Sequence, residues 1–95
     1  MADVSITVPP PQGGISINVG QTLEIIARND CNFCCSIGGN FSPSIASLTL
    51  TGGQTYGPYT AQTASSGTYN TSPKDHACDP SGGVTLNAQS VQIKP

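Results

Sequence analysis

The sequence predicts an all-β domain, an antiparallel Greek-key β-sandwich of about seven or eight short strands. Three observations predict it. Val, Ile, Leu and Thr recur at a period of two in short runs, and no stretch carries the 3.6-residue apolar period of an amphipathic helix. The 11 glycines and 8 prolines fall between those runs as turn signals. The 95 residues suit a single domain, 1–95, without internal repeats.

The elements follow in order. Val4, Ile6 and Val8 alternate with Ser5 and Thr7, a half-buried strand that Pro9-Pro10-Pro11 stops, because proline has no amide donor and a fixed φ. After the Gln12-Gly13-Gly14 turn, Ile15, Ile17 and Val19 form a second strand. Gly20-Gln21 is a tight turn into Thr22–Arg28, with Leu23, Ile25 and Ala27 on one face. Phe33–Ile37 is a short strand carrying Cys34 and Cys35, and adjacent strand residues point to opposite faces. Gly38-Gly39-Asn40 opens a loop to about Ser47, anchored by Phe41 and Ile45. Leu48–Thr51 is a strand, Gly52-Gly53 a turn, and Thr55–Ala61 a strand with a bulge or edge position at Gly57-Pro58. Ser65-Ser66-Gly67 reads as a turn before a strand beginning at Thr68. Thr71 to Gly83 reads as an exposed loop, and Val84–Leu86 and Val91–Ile93 close the fold. The expected core contains Leu23, Ile25, Ala27, Leu48, Leu50, Val84 and Ile93. Tyr56, Tyr59 and Tyr69 are expected between the sheets, each with its hydroxyl at a rim. The alternative use is an aromatic surface for a sugar or protein.

Composition narrows the function classes. Lys and Arg number only 3 and the net charge is −2, so the chain lacks the clustered cations that nucleic acid or an anionic membrane surface requires. No stretch is long and apolar enough for membrane insertion. The low charge, the Ser/Thr/Asn-rich composition and the 4 cysteines favour an extracellular or periplasmic location, with the export signal absent from this chain. A cytosolic origin is the other reading, since Met1-Ala2-Asp3 leads straight into a strand. Low surface charge and unprotected strand edges leave self-association open.

All the soft ligands lie in two clusters, Asp30-Cys31-Asn32-Phe33-Cys34-Cys35 and Asp75-His76-Ala77-Cys78-Asp79. Structural disulfides are one reading. A vicinal Cys34–Cys35 bridge would be strained, which leaves Cys31–Cys34 with Cys35–Cys78, or Cys31–Cys35 with Cys34–Cys78. The long link closes about forty residues and contributes roughly 3–4 kcal/mol on the chain-entropy model. A metal site is the second reading: Cys31, Cys34, His76 and Cys78, with Cys35 as a spare donor, suit zinc or copper in the Cu(I) state. Disulfide exchange is a third reading, but Arg28 is the only nearby cation to activate a thiol. Catalysis by Cys35 and His76, oriented by Asp75 or Asp79, has little else to support it, and no enzyme is expected. The acidic residues are too scattered for a calcium loop.

One resemblance spans most of the chain from Val19 onward. "VGQTLEIIARNDCNFCCSI", "LTLTGGQTYGPYT", "SGTYN" and "GGVTL" resemble the strand and bend pattern of cupredoxins. The resemblance implies a cupredoxin-like sandwich. In the same register the family's first copper-ligand His falls on Cys35, its Cys on Pro73, its second His on His76 and its axial ligand near Ser81, with Met1 the only methionine. Blue copper uses two His, a Cys and usually a Met, so the resemblance implies the fold with the blue-copper ligand set not preserved. The expectation is therefore a non-enzymatic, disulfide-stabilised exported or cell-surface module without a cofactor. It would bind an unknown protein or surface ligand or take part in a larger assembly. The alternative is a copper- or zinc-binding relative using the Cys cluster and His76.

Overall fold

The computed structural model describes residues 2–9, 13–75 and 88–95, and within them nine strands form two packed sheets. Three strands open the chain: β1 (Val4–Val8), β2 (Ile15–Asn18) and β3 (Thr22–Ala27). Next come β4 (Cys31–Cys35), a single 3-10 turn at Gly38–Asn40, and the two-residue β5 (Phe41–Ser42). The last four are β6 (Ser47–Leu50), β7 (Thr55–Ala61), β8 (Ser65–Pro73) and β9 (Gln89–Lys94). One sheet has the order β1-β3-β7-β5, the other β2-β9-β8-β4-β6.

The period-two pattern sets which side chains enter the core. Ile15 and Ile17, Leu23, Ile25 and Ala27, and Val91 and Ile93 are all buried, while the residues between them are exposed or half-exposed. Phe33, Phe41, Ile45, Leu50, Tyr59, Ala61 and Tyr69 complete the same core. Each strand therefore buries one side and leaves the other to water. Of the expected core, Leu48 is only half-buried, because β6 is the outer strand of its sheet. Val84, with the strand expected at residues 84–86, lies outside the described residues.

Most strand neighbours run antiparallel, but β1 runs parallel to β3 and β2 runs parallel to β9. The chain's own route explains the first pair. It leaves β1 at the proline run, crosses to the other sheet to form β2, and returns for β3. A parallel pair needs such a crossover, whereas a tight hairpin gives an antiparallel one. The bulge expected in β7 is present: Leu23 faces Tyr59 and Ile25 faces Tyr56, so β7 carries one extra residue there. Gly57 sits in it with φ of 121°, a conformation open to glycine and strained for other residues.

Several boundaries differ from the expectation by a residue or two, and β8 runs on to Pro73 where an exposed loop was expected from Thr71. β4 begins at Cys31 and ends at Cys35, two residues earlier at each end than the expected strand. β8 begins at Ser65, so Ser65-Ser66-Gly67 is strand and not turn. A Cβ at Gly67 would displace the Ser36 hydroxyl, which closes this corner: Ser36 N–H donates to the Thr68 carbonyl (2.9 Å) and Thr68 N–H to Ser36 Oγ (2.9 Å). Phe41 and Ile45 anchor the 38–47 loop as expected. Gly38 lies so close to the Ala46 backbone that no side chain fits.

Candidate functional site

β4 organises the site. It lies between β6 and β8, antiparallel to both, one strand in from the β6 edge of the five-stranded sheet. Its five residues alternate strictly: Cys31, Phe33 and Cys35 are buried, and Asn32 and Cys34 are half-buried on the other face. Phe33 fixes this choice of face. Its ring is fully buried and stacks on Tyr69 at 5.5 Å between centroids and 27° between planes. The Tyr69 hydroxyl donates to the Gly13 carbonyl at 2.7 Å, so the buried phenol keeps a partner.

The pleat decides which cysteines can meet. Cys31 and Cys35 share a face but stand four residues apart, about 13 Å along an extended strand. Cys31 and Cys34 are about 10 Å apart and point to opposite sides. A disulfide needs Cα atoms within about 7 Å. Both local bridges expected from the sequence are thus corrected: Cys31 and Cys35 are free, buried thiols. Burial pushes the Cys31 thiol above its ordinary value, and the neighbouring Asp30 carboxylate pushes it further. Burial also raises Cys35, opposed in part by a hydrogen bond with the Ile37 backbone. Neither is poised as a nucleophile, because a reactive thiol needs a lowered pKa and access.

Cys34 faces outward, directly across from Ser47 on β6 and Asn70 on β8. The surface around it is polar and uncharged. Asn32 ties it together: its Nδ2 donates to the carbonyls of Pro73 (3.2 Å) and Lys74 (3.3 Å), and its Oδ1 accepts from Thr49 Oγ1 (3.3 Å). At the start of β4, the Asp30 carboxylate accepts the Gly52 N–H at 2.7 Å. Lys74 approaches Asp30 at 3.7 Å with both side chains well exposed, so this pair adds little.

Among the described residues no group of three or more His, Cys, Asp or Glu side chains is placed to hold a metal ion. Of the candidate ligands, Cys31 and Cys35 face the core and Cys34 faces away from it. His76 and Cys78, together with Asp79 and Ser81, lie outside the described residues. Tyr59 and Tyr69 are core residues, and half-buried Tyr56 uses its hydroxyl to accept the Thr51 N–H at 2.8 Å. They form no exposed aromatic platform. Cys34 is the one cysteine of β4 that reaches the outer face, and the alternation Cys31-x-Phe33-x-Cys35 was the signal that could have identified it.

No protein-family model matches the chain, and no curated protein matches it by sequence. Solved structures do match it by fold. An oxidised amicyanin mutant superposes with a TM-score of 0.60 at 16% identity, covering 99% of this chain and 86% of that one. A Cu(I) amicyanin mutant and a reduced amicyanin mutant each give a TM-score of 0.61 at 16% identity, with the same coverages of 99% and 86%. The chain therefore has a cupredoxin-like fold. Among the described residues no helix is long and apolar enough to cross a membrane.

Proposed function

We propose that this chain is a non-catalytic, exported module on a cupredoxin-like framework, stapled by a disulfide from Cys34 to Cys78. It acts by binding a protein or surface ligand, or as a component of a larger assembly. The observation that carries the reading is the division of the β4 cysteines between the two faces of the strand. Cys31 and Cys35 are free, buried thiols, Cys34 is the one cysteine of β4 on the outer face, and Cys78 is the fourth cysteine of the chain. Such a link would tie β4 to the polar segment after β8 and restrict the unfolded chain, contributing roughly 3–4 kcal/mol.

The chemistry of the donors argues in the same direction. The fold neighbours include a Cu(I) protein, and the family register puts the thiolate ligand of blue copper at Pro73, which has no ligating side-chain atom. It puts the first imidazole at Cys35, whose thiol is buried and raised in pKa. This donor set does not fit a blue-copper ion.

Intact mass measurement without reductant or chelator, in denaturing and native solvent, tests the proposal. The expected result is a mass short by one pair of hydrogens and two cysteines that alkylate only after unfolding. A cross-linked peptide containing Cys34 and Cys78, and no retained metal, complete the expectation. A fully reduced chain that keeps one copper or zinc ion in native solvent would overturn it in favour of ligation by the cysteine cluster and His76.

A further inference from the structure

We infer that β6 is a self-pairing edge, through which a second copy of this chain adds antiparallel to the five-stranded sheet. The inference gives the assembly role proposed above a definite surface, yet it does not depend on the Cys34 disulfide.

The backbone pattern comes first. Cys35 N–H donates to the Ala46 carbonyl at 3.1 Å, and β4 pairs with β6 in the register Phe33 to Leu48 and Cys31 to Leu50. In an antiparallel ladder the hydrogen-bonding residues alternate. The backbone groups of residues 46, 48 and 50 therefore turn toward β4, while those of Ser47 and Thr49 turn outward. β6 is the last strand of its sheet, so among the described residues no further strand receives them. Two copies related by a two-fold axis through Leu48 place Ser47 opposite the partner's Thr49. Each such pair can exchange both of its N–H···O bonds.

The chemistry of the edge favours a copy of itself. From Cys31 to Pro73 the chain has no Asp, Glu, Lys, Arg or His, so nothing at the edge repels an identical edge. Natural sheet edges are usually blunted by charge, proline or extreme shortness. The other three edges show such devices. β1 follows Asp3 and runs into Pro9, the proline run also precedes β2, and β5 is two residues long. β6 has four residues and none of these within it. Leu48 is half-buried at the edge, and the partner's Leu48 would cover it across the axis.

Sedimentation velocity on the oxidised full chain over a concentration series is the test. The average mass is expected to rise from the 9.7 kDa monomer to twice that value. Amide exchange at Ser47 and Thr49 should slow as the dimer fills. Thr49→Pro removes an outward donor in both copies and should weaken dimerisation by about tenfold or more. Ser47→Lys, at an exposed position, should do the same through like-charge repulsion, most strongly at low salt. Circular dichroism melts establish that each variant is folded, and Ser47→Lys carries the test if Thr49→Pro does not fold. A monomer at every concentration would overturn the inference, as would a dimer that a folded variant leaves intact or that leaves both amides unprotected. The disulfide is read separately by mass, so failure of the stapled reading is distinguishable from failure of the edge.

Discussion

Truncating Phe33 to Ala probes the register on which the site depends. Phe33 is fully buried in the middle of β4, across from Leu48 and Thr71, with its ring stacked on Tyr69. Removing the ring forfeits its transfer free energy and leaves a cavity beneath a sheet that cannot collapse around it. Buried Phe→Ala changes of this kind cost about 3–5 kcal/mol. A domain of 95 residues has a total stability of about 5–14 kcal/mol. The variant should thus lose a large share of its stability and melt about 12–40 °C lower. Thermal and urea melts followed by far-ultraviolet circular dichroism measure both quantities. A cycle with Tyr69→Ala should show a coupling of about 0.5–1.5 kcal/mol for the ring pair. A loss below about 1 kcal/mol would refute the reasoning. It would mean that Phe33 faces outward and that β4 is displaced by one residue, which would bring Cys34 into the core and expel Cys31 and Cys35.

Tyr69→Phe leaves the Gly13 carbonyl without its 2.7 Å donor and should cost about 1 kcal/mol in a urea melt, with the fold unchanged. Gly38→Ala drives a methyl group into the Ala46 backbone and should cost about 1–3 kcal/mol or more, whereas Gly39→Ala, which meets nothing within 4 Å, should be close to neutral. Cys31 and Cys35 hold their protons more tightly folded than unfolded. The stability they contribute is therefore fully present below the ordinary thiol value of 9.0 and is lost as the pH rises through their higher folded values. Melts between neutral and alkaline pH should show that decline, and replacing both residues with Ala should remove this component of it.

Much of the framework was legible because it is local. The alternation of Leu23, Ile25 and Ala27 named a buried face before any partner strand was known, and Gly57-Pro58 announced its bulge. The opposite facing of Cys34 and Cys35 followed from the strand pleat alone. What stayed hidden depends on residues far apart in sequence. Ser65-Ser66-Gly67 has the composition of a turn, and only the nearby Ser36 shows why a glycine stands inside a strand. The parallel direction of β1 on β3 and of β2 on β9 leaves no mark in a period-two pattern. A strand starting at Phe33 leaves Cys31 in the preceding bend, where it could fold back on Cys34 or Cys35. An extended strand through Cys31 holds those sulfurs apart.

The pairing of β2 with β9 joins the second strand to the last. Ile15 lies beside Val91, and Ile17 beside Ile93. Such a contact closes the chain between β2 and β9 into one long loop, and it cannot form on the ribosome until β9 has emerged. Chains dominated by remote contacts of this kind fold in milliseconds to seconds, slowly for their size. Until β9 arrives, β8 lacks one of its two neighbours and the apolar side of β2 has no sheet to join. The late closure makes the C-terminal strand the latch of the molecule, so that its removal should prevent the five-stranded sheet from assembling and not merely trim its end.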